Sequence, residues 1–280
     1  MSSISTQIKR FFSEGWEKSR SSLKISPTNI LLALALIFIF LCALIIRLAP
    51  VFNNVYLIKA FDPWIQYHCT EYVVENGIMD FLQWRDPMSW YPEGNPLNEM
   101  FPGLIVTNAI FYWILSGLGF PVTVYDVCFY SPAFMGGVTC IVAYFLGKEL
   151  LDKKTGLIAG LLLAFSPGYM QRTVAGFYDN ETIGVFATLL TLLFFIKAIK
   201  KGSIIHGLMG GFAFGYLSLS WGGYTYTSLL LPLFVVILVF LKKYSTRLLL
   251  AYTTVVTTGL IIHSFFKRIP ISEFFRDSGL

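Results

Sequence analysis

Three carboxylates and one guanidinium draw attention because of where they fall in the chain. Asp62 follows a mostly apolar stretch and precedes Pro63, while Asp179-Asn180-Glu181 lies between an apolar run ending near Pro167 and another starting at Thr182. Acids beside hydrocarbon are costly and tend to mark functional sites. A spacing of i and i+2 puts Asp179 and Glu181 on one side of an extended segment, where they could share a hard divalent cation with Asp62 arriving from a second loop. Three carboxylates plus water suit Mg²⁺ or Mn²⁺, and such an ion can neutralise a diphosphate leaving group or act as a Lewis acid. Arg172 is the basic residue near Asp179, able to pair with a phosphate or with a lipid headgroup.

The same residues also have purely structural uses. Asp179 is a good N-cap for a helix starting near Glu181, and Asp62-Pro63 is a favoured N-cap and first-turn pair for another; composition and spacing leave both readings open. His68, His206 and His263 are scattered without ligand spacing, and Cys42, Cys69, Cys128 and Cys140 form no CxxC or Cys/His pattern, so they read as packing residues. Asn180-Glu181-Thr182 matches an N-glycosylation sequon, but its place at a helix start beside the membrane disfavours modification.

The elements that must position these groups follow from composition. Of 280 residues, 55% are hydrophobic and only 13% charged, against about 25% charged in a soluble domain. The apolar residues come in runs of membrane-spanning length, so the fold class is all-α, membrane, with lipid as the main solvent. The net charge of +5 is spread as short Lys/Arg clusters between those runs, which is topology information and excludes nucleic acid as a partner.

Lys9, Arg10, Lys18, Arg20 and Lys24 put a segment 1–29 in the cytoplasm, and the run Ile30 to Leu48 leads outward as a retained anchor. Residues 51–127 then form a large external loop, acidic and rich in interfacial Trp and Tyr. If the cluster Lys148 to Lys154 is cytoplasmic, Phe101 to Leu118 has both ends outside and does not cross. Residues 30–280 are thus expected to form one polytopic membrane domain of about seven spans: Ile30–Leu48, Cys128–Leu146, Gly156–Pro167, Thr182–Ala198, Ile204–Trp221, Tyr224–Leu241 and Leu248–Phe265. This parity strands Lys267 and Arg268 on the outer side. Asp62, Asp179 and Glu181 share one face.

An ordered set of motifs resembles the catalytic subunit of oligosaccharyltransferase, most of all its archaeal single-subunit form. The set comprises Phe61-Asp62-Pro63, Ser89-Trp90-Tyr91-Pro92-Glu93-Gly94, the stretch Pro121 to Cys128, Lys148-Glu149-Leu150, Ser166-Pro167-Gly168-Tyr169, the stretch Arg172 to Glu181, and Trp221-Gly222-Gly223-Tyr224. The resemblance implies a C-type glycosyltransferase membrane domain. It further implies transfer of an oligosaccharide from a dolichyl or other polyprenyl (di)phosphate carrier to Asn of an Asn-x-Ser/Thr acceptor polypeptide. It assigns Asp62, Asp179 and Glu181 to a Mn²⁺ or Mg²⁺ site and Arg172 to the lipid-phosphate donor. An amide nitrogen is a poor nucleophile, so polarising acids and a metal on the departing phosphate are what such chemistry requires.

The family's acceptor-reading Trp-Trp-Asp-Tyr-Gly motif and a later external glutamate do not occur here, so the chain is expected to be an N-terminal portion that is inactive by itself. A non-catalytic relative is the alternative. An ion-coupled transporter is a weaker one, since transporters place ionisable groups near the midplane of repeated halves.

Overall fold

The structure, a computed structural model, describes residues 26–96 and 100–265. The basic residues of segment 1–29 from which the orientation is expected, and Lys267 and Arg268, lie outside the described residues. The described residues hold twelve helices and no strand; one isolated bridge joins Asp86 to Asn95. Helix is the outcome to expect when the surroundings offer no hydrogen bonds to the backbone.

The chain divides into two compact units, one up to Phe38 and one from Ile39 onward. The described part of the first is the start of α1 (Pro27–Arg47), where Ile30, Leu31, Leu34, Ile37 and Phe38 are all exposed. Such exposure is appropriate to a helix whose solvent is lipid.

In the second unit, α6 (Val124–Leu150) is the central element. Its 27 residues reach about 40 Å at 1.5 Å per residue, and most of its length is buried. A capping box between Thr123 and Asp126 closes its N-terminus. α7 (Lys153–Phe165), capped by Asp152, packs along it, and α8 (Pro167–Gln171) follows after a break at Ser166. α9 (Glu181–Lys201) packs on α6 and on α10 (Ile204–Ser218). α10 lies against α12 (Thr246–Ser264), its Gly207, Gly210, Gly211 and Gly215 facing Thr254, Val255, Thr258 and Ile262, the small-residue contact by which membrane helices approach closely. α11 (Tyr224–Phe240) completes this side, whose core includes Phe195, Phe214, Leu231 and Val255.

Between α1 and α6 come α2 (Ala49–Phe52), α3 (Phe61–Asn76), α4 (Ile78–Phe81) and α5 (Pro102–Gly117). α3, α4 and α5 share a small core of Cys69, Val73, Phe81, Ile105 and Ala109. Tyr72 stacks on Trp84 with centroids 3.8 Å apart, and Arg85 Nη1 donates to Glu93 O and Gly94 O at 3.0 and 2.7 Å. This segment is a folded subdomain standing between the membrane helices.

By length and composition α1, α6 and α9 can each cross a membrane. The other four runs read as spans form helices of 13 residues (α7), 15 (α10), 17 (α11) and 19 (α12). α5, with 16 residues, extends about 24 Å, short of the roughly 30 Å hydrocarbon core. α10 and α11 are similarly short, so length does not separate α5 from them. All four cysteines are free, three of them buried.

Candidate active site

Asp62 and Asp179 lie 117 positions apart in the sequence, and backbone pairing between their two loops brings them together. The link before α3 lies against the stretch before α9: Lys59 N donates to Gly176 O, Gly176 N to Phe129 O and Ala175 N to Arg47 O, each at 2.9 Å. Ile58 N donates to the Tyr125 hydroxyl at 2.9 Å. Gly176 has φ 84°, and a Cβ there would stand 2.5 Å from Leu57 O, so only glycine permits the two loops to approach this closely. One residue before Asp179, the buried Tyr178 hydroxyl bonds Thr70 Oγ1 of α3 at 2.9 Å. Asp179 is therefore tied directly to the helix that carries Asp62.

Neither acid serves as a side-chain cap. α3 begins at Phe61 after Ala60 at φ 73°, with no side-chain cap bond, which makes Asp62 the second helical residue. The N-cap position of α9 is Asn180, again without a side-chain cap bond, and the Asp179 carboxylate accepts from Asn180 N, at 2.7 Å, and stands against the Glu181 side chain. The structural alternative that the sequence allowed for both residues is not realised.

Both acids line one cleft of about 190 Å³, with Ile65, Gln66, Met100, Phe101 and Asn180. That is below the 300–1,000 Å³ of a typical organic-ligand pocket and suits an ion with its waters. Burial, then the charge of Glu181 and that of Asp62, push the Asp179 carboxyl from 3.8 up to about 6, against the opposing Asn180 N–H. Glu181 is not part of the cleft lining; its Oε1 stands 3.5 Å from Arg172 Nη1, and the Arg172 guanidinium lies 5.3 Å over the Phe177 ring. Among the described residues, no group of three or more His, Cys, Asp or Glu side chains is arranged to hold a metal ion.

The chemistry of the cleft still fits a cation. Gln66 Oε1, Asn180 Oδ1 and Glu181 Oε2 are buried with no hydrogen-bond partner among the described residues, so acceptor oxygens outnumber donors beside two carboxylates. Oxygen-only sets of this kind match hard divalent ions. Sequence reasoning singled out Asp62, Asp179, Glu181 and Arg172 and missed Gln66, Asn180 and Tyr178; for Gln66, four residues beyond Asp62 on one helix, the i,i+4 spacing was the available signal.

These features define a multi-pass, all-helical membrane protein with an acidic cleft where two inter-helix loops meet. The family model for the oligosaccharyl transferase STT3, N-terminal, matches residues 30–276, and the chain belongs to that family. The dolichyl-diphosphooligosaccharide–protein glycosyltransferase subunit STT3B of Arabidopsis thaliana is 39% identical over 242 residues, 86% of this chain and 33% of the relative. Subunit STT3 of Saccharomyces cerevisiae is 38% identical over 235 residues, 83% of this chain and 33% of the relative. The chain therefore spans about one third of these relatives.

The crystal structure of the Archaeoglobus fulgidus oligosaccharyltransferase in its apo form superimposes with a TM-score of 0.74 at 22% identity, over 85% of this chain and 30% of that one. The same archaeal enzyme in complex with an inhibitory peptide and a dolichol-phosphate gives 0.73 at 22% identity, over 85% and 30%. Its complex with Zn and sulfate gives 0.73 at 23% identity, over 84% and 32%. At this identity the structures establish the fold.

Proposed function

We propose that this chain forms the donor-binding and metal-binding side of an oligosaccharyltransferase, which moves an oligosaccharide from a dolichyl-linked (di)phosphate carrier to Asn of Asn-x-Ser/Thr in an acceptor polypeptide. The observation that carries this reading is the convergence of Asp62 and Asp179 from two loops on one small cleft, in a chain of the STT3 family. Asp62, Asp179 and Glu181 would hold Mn²⁺ or Mg²⁺, which when bound supplies neutralisation of the departing phosphate. Glu181 lies next to the cleft residue Asn180 and has a free Oε2, so a side-chain rotation is the change that would add it to Asp62 and Asp179.

The protein's own groups have distinct tasks in this reading. Ionised Asp62 and Asp179 accept hydrogen bonds and polarise the acceptor amide, whose nitrogen is otherwise a poor nucleophile. Arg172, with 53% of its side chain exposed, offers a planar fork to phosphate oxygens. Its pairing with Glu181 holds that fork beside the cleft. The cleft faces the outer side of the membrane and the N-terminus lies in the cytoplasm, as charge asymmetry implies.

The experiment is transfer to a fluorescent Asn-x-Thr peptide from a lipid-linked oligosaccharide. The 280-residue chain is assayed alone and then supplied with the C-terminal portion of an STT3 relative. Turnover restored by the supplement and abolished by Asp62→Asn supports the reading; turnover that is indifferent to Asp62→Asn contradicts it.

A further inference from the structure

Two neutral polar groups of the cleft, Gln66 and Asn180, are left unused by the proposed reading, and Gln66 is the one that shares a helix with Asp62. Gln66 stands one turn beyond Asp62 on α3, so both project from the same helix face. It lines the cleft together with Asp62 and Asp179, is 2% exposed, and its Oε1 has no hydrogen-bond partner among the described residues. A buried amide oxygen without a donor is destabilising, and this one is set apart from the other unpartnered buried atoms of the described residues by lining a cleft with two carboxylates.

The surroundings narrow that explanation. The other polar groups of the cleft are the two carboxylates and Asn180, whose Oδ1 is also unpartnered. The rest of the lining is apolar. Carboxylate and amide oxygens that line one cleft can be satisfied together by a cation, and side-chain amide oxygens are ordinary neutral ligands of hard divalent ions.

We propose that Gln66 Oε1 is a direct ligand of the divalent cation held by Asp62 and Asp179, an inference that rests on the metal reading above. A neutral oxygen at this position has a specific benefit. Asp62, Asp179 and Glu181 would already exceed the charge of a divalent ion, and a further acid would add to the repulsion of an incoming phosphate. Gln66 adds coordination without adding charge, so affinity and phosphate access are both preserved.

The test is titration calorimetry of Mn²⁺ into the detergent-purified 280-residue chain, with Gln66→Met, Gln66→Glu and Asp179→Asn as variants. Methionine is similar in length and equally compatible with a helix. Gln66→Met is expected to weaken Mn²⁺ binding by about 10- to 100-fold, the range reported for groups that support a metal site. Its thermal midpoint without metal should be unchanged or higher, because the lost oxygen had no partner. Gln66→Glu should bind at least as tightly as the parent chain.

Parent-like binding by Gln66→Met, alongside loss of binding in Asp179→Asn, would overturn the assignment of Gln66 and leave the metal site standing. Joint loss of binding and of metal-free stability in Gln66→Met would show a structural role and also overturn it. A parent chain that does not bind Mn²⁺ saturably would refute both readings.

Discussion

Arg47 and Asp179 are both buried charged residues, yet their surroundings treat them in opposite ways. Arg47, fully buried, donates from Nε to Thr173 Oγ1 at 2.8 Å and from Nη1 to Ala43 O and Ala164 O at 3.0 Å, and its guanidinium lies 5.4 Å over the Tyr169 ring. Its carbonyl also receives Ala175 N. Two of these bonds tie α1 to the stretch that leads to Arg172 and Asp179 and one ties it to the end of α7, so most of its polarity is consumed by the fold, although Nη2 has no hydrogen-bond partner among the described residues. Asp179 accepts one backbone N–H and otherwise faces carboxylates and unpartnered amide oxygens. A buried charge whose partners are mostly supplied by the chain is structure, whereas a buried surplus of acceptors is what a cation can satisfy.

If that contrast is right, the same kind of substitution has opposite consequences at the two places. The largest effect is expected for Asp179→Asn, which should reduce Mn²⁺ affinity by at least about 100-fold, beyond the range for supporting groups, as read by calorimetry. It should also stabilise the metal-free chain at neutral pH. The folded carboxyl titrates near 6 against an ordinary 3.8, so stability present below about 3.8 is lost as the pH rises through 6, by up to about 3 kcal/mol. The asparagine variant should lack that pH dependence in thermal unfolding.

Arg47→Met should do the reverse, costing about 2–4 kcal/mol through lost charge-assisted hydrogen bonds and stranded carbonyls, with a lowered thermal midpoint at every pH tested. Gly176→Ala should cost about 1–3 kcal/mol from a left-handed non-glycine residue pressed on Leu57 O. Because it forces the two loops apart, it should weaken Mn²⁺ binding as well. The smallest effect, about 1 kcal/mol, is expected for Tyr178→Phe, which deletes the hydroxyl that bonds Thr70 Oγ1 at 2.9 Å and Leu104 O at 3.4 Å.

What was legible in the sequence follows the same division. The apolar runs matched the helices within a few residues, Thr182 to Ala198 against Glu181–Lys201 for instance, because lipid forces the backbone to satisfy itself along one segment. The acids of the cleft were legible because charge beside hydrocarbon is rare. Capping was misjudged: Ala60 takes a left-handed φ and Asn180 fills the N-cap position, choices set by the Lys59–Gly176 pairing, which no local pattern encodes. The cleft's neutral oxygens were invisible for a related reason, since a glutamine on a helix attracts no notice until it is found buried beside carboxylates.

The claim that two distant loops build one cation site is tested most directly by Mn²⁺ electron paramagnetic resonance on the parent chain, Asp62→Asn, Asp179→Asn and the double variant. A shared ion predicts one saturable Mn²⁺ per chain, with affinity climbing as the pH approaches about 6 and levelling above it. Each single substitution should abolish most of the binding, and the double variant should be hardly worse than either. Undiminished binding in Asp62→Asn, or losses that simply multiply in the double variant, would show that the two carboxylates act at separate places.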